Sequence, residues 1–247
     1  MTRLDQALVE RGLCESRERA QRAILAGQVR VNTRRAHKPS DAVQPNDALA
    51  LEAGEKYVSR GGQKLEHALR HFQVDVTGLT ALDLGASTGG FTDCLLQHGA
   101  AKVFAVDVGQ AQLAWKLRQD RRVVVMEKTN ARHLTAARFP QPFMPADLAV
   151  IDCSFISLQK ILPAAIALLK TGGKMVALIK PQFEAGKAEA DRGRGVIRDP
   201  AVHERVLEEL REFAAAQPGL NWRGVVESPL LGPAGNKEFL ALIEKTN

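Results

Sequence analysis

The stretch DLGASTGGFT, Asp83 to Thr92, places an acid two residues before a glycine-rich turn. A dinucleotide-binding turn reads G-x-G-x-x-G, so that the backbone can approach a pyrophosphate. Here that register holds Gly85, Ser87 and Gly90, so the second glycine is missing. S-adenosylmethionine has no pyrophosphate but carries an ammonium and a sulfonium, which a carboxylate attracts where it would repel a phosphate. Asp107, 24 residues after Asp83 at the end of the next apolar run, is placed to accept hydrogen bonds from both ribose hydroxyls. Asn130, after the following run, can read an adenine edge. The pattern predicts an S-adenosylmethionine site built from Asp83, Gly85, Ser87, Thr88, Gly89, Gly90, Phe91, Thr92, Asp107 and Asn130, with Asp152 bordering it.

The elements that must hold these residues alternate. From about Thr80 the apolar runs ALDLG, KVFAVDVG, RRVVVMEK, ADLAVIDCSF and KMVALIKP read as strands, separated by helical stretches starting near Thr88, Ala111, Ser157 and Pro200. Such βαβ order implies a parallel sheet covered on both faces, an α/β fold. GLNWRGVVESP and NKEFLALIEK have only a short loop between them and predict an antiparallel hairpin at the sheet edge. Asp152 ends the fourth strand and Lys180 the fifth, so both open into one crevice at the carboxyl ends. Lys64 lies on a helix before the first strand, and Glu238 starts the last one. Cys153 has no histidine near it in sequence and reads as packing. The polar, glycine-containing connection from Glu184 to Pro200 is long enough to predict a mobile lid.

The first fifty-odd residues form a separate α+β module. Ser16 reads as an N-cap, Ala20, Ala23 and Ile24 as an apolar seam, and Gly12 and Gly27 as helix stops. Val29 to Val31 and Ala48 to Glu52 read as short strands. Arg3, Arg17, Arg19, Arg22, Arg30, Arg34 and Arg35 offer phosphate contacts, and the net charge of +6 agrees with a polyanionic partner. Arg192 and Arg194 add two cations to the predicted lid.

Through YVSRGGQKL, LDLGASTGGFTDCLLQ, VIDCSFISL and LIKPQFE, the chain resembles the FtsJ-like ribose 2′-O-methyltransferases and, over essentially its whole length, the TlyA family of rRNA methyltransferases, historically also called haemolysin A. SRERAQRAILAGQVRVN resembles the S-four type RNA-binding domain. The resemblance implies a Rossmann-like seven-stranded methyltransferase domain and a catalytic tetrad of Lys64, Asp152, Lys180 and Glu238. It also implies a cytidine in ribosomal RNA as target. The expected division is an RNA-binding domain over 1–54, a linker over 55–62 and a methyltransferase domain over 63–247. In the linker, family members carry Arg-x-Trp-Val where this chain reads Glu55-Lys56-Tyr57-Val58. The end of the chain soon after its last strand matches the shorter subtype, which acts on large-subunit rRNA alone; small-subunit rRNA is the other candidate substrate.

Two other readings compete: a membrane-active haemolysin and a non-catalytic RNA-binding protein. Against the first, MTRLDQALVERG has no apolar signal core, and the run from Ile161 to Leu169 is far short of the roughly 20 residues that a membrane span needs. Three widely separated cysteines without ligand spacing predict a reducing cytoplasm and no metal site. Apolar residues make up 45% of the chain, enough for a sizeable core.

Overall fold

The structure, a computed structural model, describes residues 1–52 and 56–246. They fall into two units, Met1–Lys56 and Tyr57–Asn247. The expected boundary at 54 and 55, with Glu55 of the linker, lies outside the described residues. Tyr57 is buried in the second unit against Gly62, so the latter part of the expected linker belongs to that unit.

In the first unit, strand β1 (Thr2–Arg3) leads into helix α1 (Leu4–Glu10), and helix α2 (Arg17–Leu25) packs beside it. Ser16 caps α2 by accepting from the Arg19 amide at 3.2 Å, an interaction worth about 1 kcal/mol. Leu4, Ala7 and Leu8 of α1 and Ala20, Ala23 and Ile24 of α2 sit at helical spacing and form the core. Strand β2 (Val29–Val31) lies between β3 (Arg34–Arg35) and β5 (Leu49–Leu51), while β4 (Ala42–Val43) pairs with β1.

The second unit opens with helix α3 (Gly61–His71), then strand β6 (Thr80–Leu84), helix α4 (Gly90–Gln97), strand β7 (Lys102–Val106), helix α5 (Trp115–Arg118) and strand β8 (Val123–Met126). Strand β9 (Ala146–Ile151), helix α6 (Leu162–Leu168), strand β10 (Leu169–Ile179) and helices α7 (Pro181–Glu184), α8 (Lys187–Arg192) and α9 (Pro200–Ala216) follow. Strands β11 (Leu220–Glu227) and β12 (Phe239–Lys245) complete a seven-stranded sheet of order β11-β12-β10-β9-β6-β7-β8. Five strands run parallel and the last two form the expected antiparallel hairpin, with β12 against β10. The order reverses between β6 and β9, and there a crevice opens at the carboxyl ends.

Strand alternation divides the core. Leu82 and Leu84 of β6 face the layer that includes α6 and α9, and Ala81 faces α3 and α4. Two expectations change. The helix expected from Ala111 is one turn, Trp115–Arg118, because Ala111 takes a left-handed φ of 57° that cannot continue a helix. The connection from Glu184 to Pro200 is not an open loop. It carries α8, and Asn236 holds its end at Gly195 and Ile197.

Candidate active site

The loops after β6 and β9 touch at Gly85. Its φ is 89°, and a Cβ there would lie 2.7 Å from the Asp152 carbonyl oxygen, so glycine is required. At Gly90 a Cβ would meet Ser59 Oγ at 2.2 Å and Gly62 N at 2.9 Å. This close approach brings the start of α3, and with it Lys64, beside the glycine loop. A cavity of about 590 Å³ opens there, lined among others by Gly85, Ser87, Thr88, Gly90 and Phe91. A second, of about 350 Å³, continues toward Asp107 and Asn130 and shares Gly85, Ser87, Asp152, Ser154 and Phe155 with the first.

Lys64, Asp152, Lys180 and Glu238 all line the larger cavity. They form two ion pairs. Lys64 Nζ bonds Glu238 across 174 residues of sequence, with both side chains buried. Lys180 Nζ lies 2.6 Å from Asp152 Oδ1 and donates to Ser154 Oγ at 2.8 Å. Gly232 leaves room for the Glu238 carboxylate, since a Cβ there would lie 2.5 Å from Glu238 Oε1. Glu184 accepts from Ser157 Oγ at 2.7 Å and from the Leu158 amide at 2.9 Å, which ties α7, next to Lys180, to the segment following Asp152. Burial pushes the Glu184 carboxyl above the usual range. Two cations and two carboxylates in one desolvated wall can hold a hydroxyl and manage its proton.

The description FtsJ-like methyltransferase matches residues 57–245, and S4 domain matches residues 2–49. The chain belongs to the FtsJ-like methyltransferase family. It is 52% identical to the Bacillus subtilis protein named "Putative rRNA methyltransferase YqxC", covering 96% of this chain and 84% of the relative. It is 47% identical to the 16S/23S rRNA (cytidine-2′-O)-methyltransferase TlyA of Mycobacterium tuberculosis, covering 96% and 87%. A solved Streptococcus thermophilus structure bearing a hemolysin name superposes with a TM-score of 0.75 at 46% identity, over 100% of this chain and 89% of that one.

In this FtsJ-like methyltransferase the expected cofactor residues fall into two groups. Gly85, Ser87, Thr88, Gly90, Phe91, Asp107, Asn130 and Asp152 line one or both cavities. Asp83, Gly89 and Thr92 do not. Asp83 is one residue short of the strand end and shares the face of Ala81, so its side chain enters the layer beneath the loop. There Thr92 Oγ1 donates to Asp83 Oδ2 at 2.6 Å, while Oδ1 is buried without a donor among the described residues. Burial, with Asp152 and Asp107 adding repulsion, pushes the Asp83 carboxyl up to about 7. Gly89 packs over Leu113 and Leu117, where a Cβ would meet them at 2.7 and 2.3 Å. Asp83 thus lies behind the loop, bonded to Thr92, rather than among the residues that line the cavities.

Asp107 matches its expected place just past β7. Oδ2 accepts from the Ser87 amide at 2.8 Å and Oδ1 from the Gly109 amide at 2.7 Å, which leaves each oxygen a second lone pair for a ribose hydroxyl. Asn130 Oδ1 accepts from the Arg132 amide at 2.9 Å, and its Nδ2 is left to donate. Cys153 is half-buried and burial pushes its thiol up to about 12, so it is no nucleophile at neutral pH.

Sequence reasoning passed over Ser154, Phe155 and Asn236, which line the site. Phe155 is 89% exposed, with a left-handed φ of 64° and its ring 5.0 Å from that of Phe183. The only signal for Ser154 was its place two residues after Asp152.

In the S4 domain the seven arginines expected to contact phosphate divide as well. Arg3 and Arg17 bond the buried Asp5, at 3.0 Å and 2.9 Å, with Gln21 Nε2 donating at 2.8 Å. Arg30 and Arg35 pair with Glu52, and Arg22 lies 3.9 Å from Glu18. Arg19 and Arg34 are exposed and make no side-chain ion pair among the described residues. Arg192 and Arg194 are exposed on α8 and just after it, and neither lines the cavity.

Proposed function

We propose that this chain methylates the ribose 2′-hydroxyl of a cytidine in ribosomal RNA, in the large subunit first and in the small subunit as the other substrate, with S-adenosylmethionine as methyl donor. The observation that carries the reading is the pair of lysine–carboxylate contacts, Lys64 with Glu238 and Lys180 with Asp152, in one cavity with the glycine loop. The names of the Bacillus and Mycobacterium relatives support it.

The donor set suits the cofactor. Asp107 and Asn130 would hold the adenosine end, and Gly85, Ser87 and Gly90 would let it approach the backbone. S-adenosylmethionine supplies, when bound, an electrophilic methyl group. The chain's residues do the rest. A ribose hydroxyl is a poor nucleophile until it is oriented and relieved of its proton. Lys180, held by Asp152 and Ser154, takes or steers that proton, and Lys64, held by Glu238, fixes the hydroxyl from the other side. Exposed Arg19, Arg34, Arg192 and Arg194 supply phosphate contacts. No helix among the described residues is long and apolar enough to cross a membrane, and no group of three or more His, Cys, Asp or Glu among them is placed to hold a metal. A cytoplasmic location follows from the substrate.

Transfer of a tritiated methyl group to purified ribosomal subunits, followed by mapping of the 2′-O-methyl position, tests the proposal. Incorporation at a cytidine ribose is expected. Failure with both subunits and with naked rRNA overturns it.

A further inference from the structure

Asn236 is 2% exposed and lies two residues before Glu238. Its side chain acts as a strand would. Oδ1 accepts from the Ile197 amide at 2.9 Å, and Nδ2 donates to the Gly195 carbonyl at 2.8 Å. One backbone donor and one backbone acceptor thus admit a single orientation of the amide. The Asn236 carbonyl in turn accepts from the Gly232 amide at 2.8 Å, in the turn that makes room for Glu238.

A second contact grips the same segment. The Ile197 carbonyl lies 3.1 Å from His203 Nε2, and the buried His203 ring stands 5.7 Å from the ring of Phe239. Asn236 and Phe239 flank Glu238 on either side. The segment they hold begins at Pro181, directly after Lys180, and passes through α7 and α8. Its residues Ala190 and Gly195 wall the catalytic cavity together with Asn236 itself.

Among the described residues α8 has one side-chain ion pair, Glu189 with Arg205, which is partly exposed, and such pairs contribute little. Gly186 caps the start of the helix and Gly195 lies three residues past its end, with φ of 91° and 82° and open space at both Cβ positions. The geometry points to Asn236 as a positioning residue: a latch that fastens the α8 wall to the turn before β12 that carries Glu238, so that the wall and the Lys64–Glu238 pair are set together. Its kinetic consequence rests on the methyl-transfer reading, but the latch does not.

Two variants of the full chain test it. Asn236→Asp keeps the shape but sets a carboxylate oxygen against the Gly195 carbonyl, and Asn236→Ala removes both bonds. Hydrogen exchange of the free protein should rise at least tenfold in peptides covering 187–199, with β6, β7 and β9 unchanged. For Asn236→Asp this gain should shrink as acid protonates the new carboxyl, which can then donate to Gly195. Methyl transfer should lose at least tenfold in kcat with KM for S-adenosylmethionine within twofold. In a Glu238→Gln background the Asn236→Asp loss should largely vanish, because both act through one group. Unchanged exchange at 187–199 in folded variants overturns the latch. Losses that multiply with Glu238→Gln overturn its link to Glu238. If the wild-type protein transfers no methyl group, the proposed function fails instead, and exchange alone still decides the latch.

Discussion

Lys180 Nζ lies 2.6 Å from Asp152 Oδ1, and each residue is the first after its strand in the adjacent parallel pair β9 and β10. The pair is thus built by sheet topology, and Ser154 completes it at 2.8 Å. Lys180→Ala should slow methyl transfer by on the order of 10²–10⁴, the range of general acid–base work, with cofactor affinity nearly intact. Lys180→Arg should fail almost as badly, since a guanidinium keeps the charge but cannot lose its proton. Ser154→Ala, which frees Lys180 on one side, should cost roughly tenfold in kcat. Single-turnover rates beside calorimetry separate these effects. An active arginine variant would reduce Lys180 to an electrostatic anchor.

Asp107 carries the ribose end of the proposed cofactor site with both its oxygens already ordered by backbone amides. Asp107→Ala should weaken S-adenosylmethionine binding by about 1–3 kcal/mol through lost hydrogen bonds to a charged group. Calorimetry on the folded variant checks it, and unchanged affinity would remove Asp107 from the site.

Asp83 makes the free protein sensitive to pH. Its folded pKa of about 7 lies above that of an unfolded carboxyl, about 3.9, so between these values the native state holds a proton that the unfolded state has lost. Stability from this group therefore falls as pH rises from about 4 to about 7, by up to roughly 1.4 kcal/mol per unit, and is level above. Asp83→Asn keeps an acceptor for Thr92 and removes the ionisation. It should raise the stability of the free protein at pH 8 and confer little at pH 4, as urea unfolding at the two values would reveal. An equal effect at both would mean that the buried carboxyl is not what titrates.

Asp5 has the opposite sign. Hydrogen bonds from Arg3, then from Gln21 and Arg17, hold its carboxyl well below the usual range against the cost of burial. The stability they bring is present above about pH 4 and is lost as pH falls further. Asp5→Ala strands two half-exposed arginines, whose charges water partly screens, and should cost the S4 domain about 1–3 kcal/mol. Denaturation of the wild type and variant at pH 7 measures it.

The arginines of that domain should separate by partner. Arg19→Glu and Arg34→Glu should weaken ribosomal RNA binding and flatten its salt dependence without loss of stability, since neither makes a side-chain ion pair among the described residues. Arg17→Glu should destabilise the domain by placing a second carboxylate at Asp5. Filter binding over a salt series beside thermal melting tests both. Equal salt slopes for wild type and Arg19→Glu would take that residue off the RNA.

Much of this protein was legible before any coordinate. Continuous apolar runs ending in Asp107, Asp152 and Lys180, in βαβ order, sufficed to place those side chains at the carboxyl edge of a parallel sheet, because strands joined by crossover helices all run the same way. Ser16 announced α2, and the short loop before Asn236 announced the hairpin of β11 and β12. Other features needed the tertiary structure. Asp83 stands on the lower face because strand β6 ends one residue later, and a shift of one residue exchanges faces. Arg3 and Arg17 read as free cations in sequence, yet Asp5 is buried between α1 and α2 and draws them both. Lys64 meets Glu238 over 174 residues, and Asn236 meets Gly195 over 41. Contacts at such separations are set by how layers pack, and no local pattern in the chain records them.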